Sequence, residues 1–378
     1  MQEKSSDNKA KPRKNTWLVK AGEVEIGAGK EVVVQSMCAT HTRDVVATLE
    51  QIKVLQDHGA GLIRVAVDSK VDVEALAEIR KKTTAALVVD IQESFHLVPL
   101  VAPYVQKIRY NPGHLHHMQQ GTSVEEKVKF IVDEAKKHNL ALRIGINFGS
   151  LDPNQKELTK KSYDTALESV REHVHLMEKF SFENYVVSLK SSDPNEVIEL
   201  NRCFAEEFPY IPLHLGVTEA GMLPIAEAKT RAAFETLLLD GIGDTLRVSL
   251  TLPYAEKYKE VEVGKQILAD VYSGKAHRHF YQQSGLNIVS CPSCSRVENG
   301  DFVHFAARVK EALAFAKDKN ITVAVMGCRV NGPGEADNAD IGLWCAADHV
   351  NMKIHSELIG SFSFDEALER VKEEVAKL

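Results

Sequence analysis

A (β/α)8 TIM barrel followed by a small α/β unit is the fold that this 378-residue sequence predicts, on three observations. Eight short runs rich in Val, Ile and Leu recur along the chain, each followed by a stretch with helical spacing. Together they cover about 250 residues, the usual extent of such a barrel. The turn after the first run, QSMCATHTRD, lacks the glycine-rich phosphate loop that a doubly wound open sheet would carry there. Beyond residue 275 the alternation ends, and four of the six cysteines lie past that point.

In chain order the expected strands are VVVQSM (32–37), GLIRVAV (61–67), ALVVDI (86–91), KIRYNP (107–112), ALRIGIN (141–147), YVVSLK (185–190), PLHLGVT (212–218) and TLRVSL (245–250). Between the first two lies DVVATLEQIKVLQDHG, in which Val45, Leu49, Ile52 and Leu55 recur every three or four residues, as one face of a helix requires. SVEEKVKFIVDEAKKHN and SYDTALESVREHVHLMEKF read the same way, with Gly59 and Gly121 at expected helix ends or turns. After a link near 274–285, FVHFAARVKEALAFAKDKN reads as a helix, ITVAVMG as a strand, GCRVNGPGEADNAD as a loop and SFDEALERVKEEVAKL as a closing helix. The expected division is a disordered tail over 1–14, a barrel over 15–275 and a second unit over 276–378.

Composition narrows the function classes. Forty-six Lys and Arg against 53 Asp and Glu leave a net charge of −7, which gives no support for wholesale nucleic-acid binding. No apolar run reaches the roughly eighteen residues that a bilayer requires. The polar N-terminal stretch MQEKSSDNKAKPRKN does not read as a secretory signal, so the expectation is a cytoplasmic chain with reduced thiols. In that setting, clustered cysteines point to metal or catalysis rather than disulfides.

Barrel active sites draw on the carboxyl ends of the strands. Arg64, Arg109, Arg143 and Arg247 each interrupt a β-branched run, and Lys190 closes another. A buried charge without a partner is costly, so five such cations aimed at one mouth call for an anion. Arginine forks suit phosphate oxygens, and the strand-end carboxylates Asp90 and Glu219 are too few to neutralise the set. A phosphate or diphosphate site is the result, with Glu219 as a proton donor or acceptor or else a salt-bridge partner.

The second constellation is Cys291-Pro-Ser-Cys294, followed by Cys328 and then Glu335 in CRVNGPGE. Two thiolates on one side of a turn can share a metal or a cluster, and soft thiolates select zinc or iron–sulfur. Zinc would need a fourth ligand, for which Cys345 or His349 stand near in sequence. A redox dithiol is a further alternative, and on the residues alone zinc and iron–sulfur stand level. Cys38 and Cys203 read as isolated thiols.

The stretches KIRYNPG, LRIGIN, SLKSSD, HLGVTEAG, GIGDTLRVSLT, SCPSC-x-R and GC-x-VNGPGEA-x-x-ADIG make the chain similar to the 4-hydroxy-3-methylbut-2-en-1-yl diphosphate synthases, in their short two-domain form. The resemblance runs from about residue 15 to the C-terminus. It implies an oxidoreductase of the methylerythritol phosphate route to isoprenoids, which reductively opens 2-C-methyl-D-erythritol 2,4-cyclodiphosphate with release of water. It implies a [4Fe-4S] cluster on Cys291, Cys294, Cys328 and Glu335, supplied with electrons by flavodoxin or ferredoxin. Arg64, Arg109, Arg143, Lys190 and Arg247 match the family's diphosphate-binding cations, with Asn147 and Ser249 as polar contacts and Glu219 as the acid assisting protonation. It also implies a head-to-tail homodimer in which one chain's cluster domain caps its partner's barrel. The competing expectation is a zinc-stabilised barrel transferase or aldolase acting on a sugar phosphate.

Overall fold

The computed structural model describes residues 10–115, 119, 121–151, 162–330 and 332–378. Of the expected tail over 1–14, residues 1–9 lie outside the described residues. Residues 11–14 are tied to the body, with the Lys11 and Lys14 amides donating to the Leu239 and Gly241 carbonyls and Arg13 pairing Asp244 at 2.8 Å.

The chain opens with a hairpin, β1 (Val19–Ala21) and β2 (Val24–Ile26). Eight parallel strands follow: β3 (Val33–Met37), β4 (Leu62–Ala66), β5 (Leu87–Gln92), β6 (Lys107–Tyr110), β7 (Ala141–Asn147), β8 (Tyr185–Lys190), β9 (His214–Leu215) and β10 (Thr245–Leu246). They pair in chain order, β10 returns to β3, and a parallel bridge from Val187 to Leu213 closes the ring. Helices run between them: α1 (Val45–Asp57), α2 (Lys70–Lys82), the single turn α3 (Val98–Val101), α4 (Val124–His138), α5 (Ser162–Lys179), α6 (Pro194–Glu207), α7 (Ile225–Leu239) and α8 (Tyr258–Tyr272). The α4 start is a full capping box, Ser123 with Glu126.

The strands at 212–218 and 245–250 are shorter than the sequence suggests. Past Leu246 the Leu250 amide is taken by the Glu260 carboxylate rather than by a neighbouring strand, so the ladder stops although the chain stays extended. Outward side chains such as Ile63, Val65, Ile108, Leu142 and Ile144 join the helices in one large apolar core. At the amino-terminal end of the barrel a separate cluster packs Val19, Ala21 and Ile26 of the hairpin against the inward residues Leu62, Val88, Ala141 and Val186. That end is plugged.

The second unit is a five-stranded sheet, β11 (Asn287–Ser290), β12 (Thr322–Met326), β13 (Ile341–Cys345), β14 (Val350–Ile354) and β15 (Glu357–Phe362), paired in that order. Its first three strands are parallel and its last two antiparallel to their neighbours. Helices α9 (Phe302–Ala312) and α11 (Phe364–Lys377) pack on it through Phe302, Phe305, Val309, Val371 and Val375. The GPGEAD stretch, expected as loop, forms the short helix α10 (Gly332–Asp337).

Candidate active site at the barrel mouth

Strand pleat decides what the barrel interior contains. Above the apolar plug, the positions that alternate with core-facing residues are Arg64, Asp90, Lys107, Arg109, Arg143, Asn147, Ser188, Lys190, His214, Arg247 and Ser249, all buried. Barrel interiors are normally filled by branched apolar side chains, so this polar filling marks a site rather than a core. Glycine makes room for two of the cations. A Cβ at Gly145 would come within 2.3 Å of Arg109 Nε, and one at Gly216 within 2.6 Å of Lys190 Cε.

Asp90 holds the near side of the cluster, 3.1 Å from Arg109 Nη1 and 3.8 Å from Arg64 Nη1. Burial alone would raise its carboxyl, but Arg109, Arg296, Arg64 and Arg143 hold it well below the usual range. A carboxylate that no strand end carries also enters: Glu260 of α8 lies 3.6 Å from Arg247 and 2.7 Å from Lys257. The cations still outnumber their partners. Arg143 donates Nη1 to Ser188 Oγ at 2.7 Å, while its Nε and Nη2 and the Nε of Arg247 are buried without a hydrogen-bond partner, and Arg247 Nη2 faces Glu260 beyond hydrogen-bond reach at 3.6 Å. Burial, and then the neighbouring guanidiniums, push Arg143 and Lys190 far below their ordinary values. Arginine does not give up its proton, so an anion would relieve this imbalance.

The cysteines close this mouth from above. Cys291 follows β11, whose end is stitched to the barrel by a parallel bridge between Ser290 and Ala220 and by the Thr251 hydroxyl, 2.9 Å from the Cys291 carbonyl. Lys257 Nζ donates to the Pro292 carbonyl at 2.6 Å, and Ser293, in the left-handed region at φ 46°, donates its hydroxyl to the Leu252 carbonyl at 2.6 Å. The Ser295 amide donates to the Cys38 carbonyl at 3.2 Å, so a thiol read as isolated belongs to a residue that helps seat this loop. Arg296 completes the clamp, reaching Asp68 at 2.8 Å and Asp90 Oδ2 at 3.3 Å. Within this single chain, the second unit lies over the barrel mouth.

A cavity of about 60 Å3 lies between. It is lined by Arg64, Arg109, Arg143, Asn147, Lys190, Glu219, Arg247 and Ser249 from the barrel and by Cys291, Cys294 and Cys328 from the second unit. Every expected site residue except Glu335 therefore faces one small space. Glu335 is buried on α10 at the rim: a Cβ at Gly149 would fall 2.1 Å from its Oε1. Gly334 and Gly149 meet backbone to backbone, since a Cβ at Gly334 would strike the Gly149 carbonyl at 1.9 Å. Glu219 sits at φ 47°, unusual for a residue with a Cβ, and accepts from Thr218 Oγ1 at 2.8 Å.

Three thiols opening into one cavity are a soft donor set. The Cys291 Sγ accepts from the Gly327 amide at 3.3 Å. Burial, then Cys328, Glu219 and Cys294, push its thiol well above the ordinary range. A cationic metal centre there would reverse that balance, because coordination favours the thiolate. Among the described residues no three His, Cys, Asp or Glu side chains group closely enough for a single metal ion. The ligands of a cubane cluster each bind a different iron and stand farther apart. His349 is turned away, with Nδ1 2.7 Å from Asp348, and Cys345 is buried at the end of β13 with its thiol pushed up by burial to about 12.

Lys107, Glu260 and Arg296 are the residues that the sequence reading missed. Lys107 stood in view in KIRYNP, two positions before Arg109 and so on the same face of the strand. Arg296 stood in the SCPSC-x-R motif. Nothing in the spacing pointed to Glu260.

Residues 16–265 match the family model described as the GcpE TIM-barrel domain, and residues 287–377 match that of the GcpE protein C-terminal domain. A 4-hydroxy-3-methylbut-2-en-1-yl diphosphate synthase (flavodoxin) of Rhodopirellula baltica is 52% identical over 371 residues, covering 97% of either chain. A synthase of the same name from Nautilia profundicola is 38% identical over 362 residues, covering 96% of this chain and 97% of that one. Among solved structures, a dihydropteroate synthase of Stenotrophomonas maltophilia superposes with a TM-score of 0.48 at 11% identity, over 66% of this chain and 95% of that one.

Proposed function

The chain belongs to the GcpE family of 4-hydroxy-3-methylbut-2-en-1-yl diphosphate synthases, and from that premise we propose how its residues divide the work of the reaction. The enzyme is an oxidoreductase of the methylerythritol phosphate route, converting 2-C-methyl-D-erythritol 2,4-cyclodiphosphate to (E)-4-hydroxy-3-methylbut-2-enyl diphosphate. The observation that carries the division is the set of guanidinium nitrogens on Arg143 and Arg247 that lack a hydrogen-bond partner, buried beneath three cysteines.

Arg64, Arg109, Arg143, Lys190 and Arg247 hold the diphosphate, with Asn147 and Ser249 completing its polar shell. Their directions are set by the strands before substrate arrives, so little ordering is needed at the moment of reaction. Ring opening expels one oxygen as water and consumes two electrons. The departing oxygen needs a proton, and Glu219, held by Thr218 between the cations and Cys291, supplies it. Cys291, Cys294, Cys328 and Glu335 would hold the iron–sulfur cluster, which when bound would supply electrons one at a time and a Lewis acid.

The clamp of Arg296 on Asp68 and Asp90 keeps water from the closed mouth. The electron donor is flavodoxin, the protein named with the family's relatives, or a ferredoxin. A cytoplasmic homodimer is the working form that the family resemblance implies. Among the described residues no helix is long and apolar enough to cross a membrane.

Iron, sulfide and zinc analysis after strictly anaerobic purification tests the cluster assignment. Iron and sulfide in equal amounts are expected, and zinc without sulfide overturns it in favour of a zinc-stabilised barrel. Glu335→Ala should lose turnover of the cyclodiphosphate; undiminished turnover refutes its place as a ligand.

A further inference from the structure

Lys107 is the cation of the barrel interior that the proposed reaction leaves without a role. On β6 it faces inward with Arg109, while Ile108 and Tyr110 face the outer core. It is fully buried, and its Nζ has no hydrogen-bond partner. Three other buried lysines end on oxygen: Lys127 on the Leu115 carbonyl at 2.7 Å, Lys229 on Asn287 at 2.8 Å and Lys257 on Glu260 at 2.7 Å. The charged neighbours of Lys107 are Arg143 of β7 and Arg64 of β4, and its field also reaches His214 of β9, whose Nε2 is likewise without a partner. The two charged groups that act on it are therefore both of its own sign.

A lysine serving only to fill space would be out of place here, since an apolar side chain of similar size removes the desolvation cost. Lys107 does not line the cavity, whereas Arg64 and Arg143 do. We propose that Lys107 is a positioning residue lying beneath the anion site, which directs the Arg64 and Arg143 forks toward the cavity and favours diphosphate over single phosphate. This rests on the reading of the cavity as the substrate's diphosphate site. Like charges repel, so a cation at Lys107 disfavours forks turned toward it, and Arg64 and Arg143 both line the cavity that Lys107 does not reach. A cation acting through its field rather than through a hydrogen bond stabilises the more highly charged ligand more. Burial, then Arg143 and Arg64, push the Lys107 amine far below its ordinary value, and an arriving anion works in the opposite direction.

Calorimetric titration of the full-length protein with inorganic diphosphate and with inorganic phosphate tests this. Lys107→Met should weaken diphosphate binding about tenfold and phosphate binding by less than about threefold, and should raise KM for the substrate more than it lowers kcat. Lys107→Arg should restore the preference for diphosphate. Equal weakening toward both anions, or no weakening, overturns the proposal and leaves Lys107 a structural residue. If the Met variant does not fold, Lys107→Gln, better suited to polar surroundings, is read by the same ratio. Wild type that takes up no diphosphate, or Arg143→Met that binds it unimpaired, sinks the anion-site reading and this proposal together. Unimpaired binding by the Lys107 variants alone, with Arg143→Met defective, sinks only the latter.

Discussion

The two ends of the barrel are built from the same strands and do opposite things. At the amino-terminal end, Leu62, Val88, Ala141 and Val186 turn inward to meet the hairpin residues Val19, Ala21 and Ile26, and the interior is dry and apolar. Two residues further along those strands the inward positions are Arg64, Asp90, Arg143 and Ser188. One end stores stability through apolar burial, worth about 1.5–3 kcal/mol for each large side chain. The other gives stability up, holding guanidiniums whose donors await a ligand. Barrels separate fold from chemistry in this way because strand-end positions at the mouth can vary without disturbing the plug.

The largest test of that separation is Arg143→Met. The catalytic constant over KM should fall about a thousandfold, as when a preorganised electrostatic donor is removed. The thermal midpoint should hold or rise, because an incompletely paired buried cation is gone. A variant that melts early would mean that the mouth also carries the fold. The converse test is Ile26→Ala in the plug, expected to cost about 2–5 kcal/mol in denaturant unfolding while kcat per folded molecule stays unchanged. A loss of kcat would show that the two ends are coupled.

A third, smaller effect comes from the helix layer between the ends. His173 of α5 is buried with Nδ1 3.0 Å from the Tyr110 hydroxyl, and burial pushes it from 6.5 down to about 3. The folded protein keeps it neutral, whereas the unfolded chain protonates it near pH 6.5. The unfolded state therefore binds more protons below pH 6.5, and stability falls with acid by up to about 1.4 kcal/mol per pH unit from this group. Urea melts at pH 7 and pH 5 should show the difference narrowed in His173→Gln; an unchanged difference would assign the slope elsewhere. The smallest effect is expected at the α4 capping box, remote from both ends. Ser123→Ala should cost about 1 kcal/mol with no change in KM, read by the same melts and by steady-state kinetics.

Much of this was legible along the chain. Arg64, Arg109, Arg143 and Arg247 betray themselves because a charge inside a β-branched run has to be accounted for, and the CxxC spacing marks two of the three thiols that the fold brings to the cavity. The strands at 212–218 and 245–250 were overextended because a hydrophobic run does not reveal that the Leu250 amide will be claimed by a helix carboxylate. Lys107 was passed over because only strand pleat distinguishes an inward lysine from one at a rim. Glu260 was invisible because it reaches the site from a helix face.

By itself, the sequence determined the number of strand–helix units, the alternation that turns charge to one side of a strand, and the identity of the donors, since periodicity and residue chemistry are local properties. Tertiary structure alone decided that eleven of those donors share one cavity and that Arg296 spans it by gripping Asp68 and Asp90. Those are relations between residues as far apart as 68 and 296. They arise only when the ring closes and every buried charge settles against whatever partner the fold brings within reach.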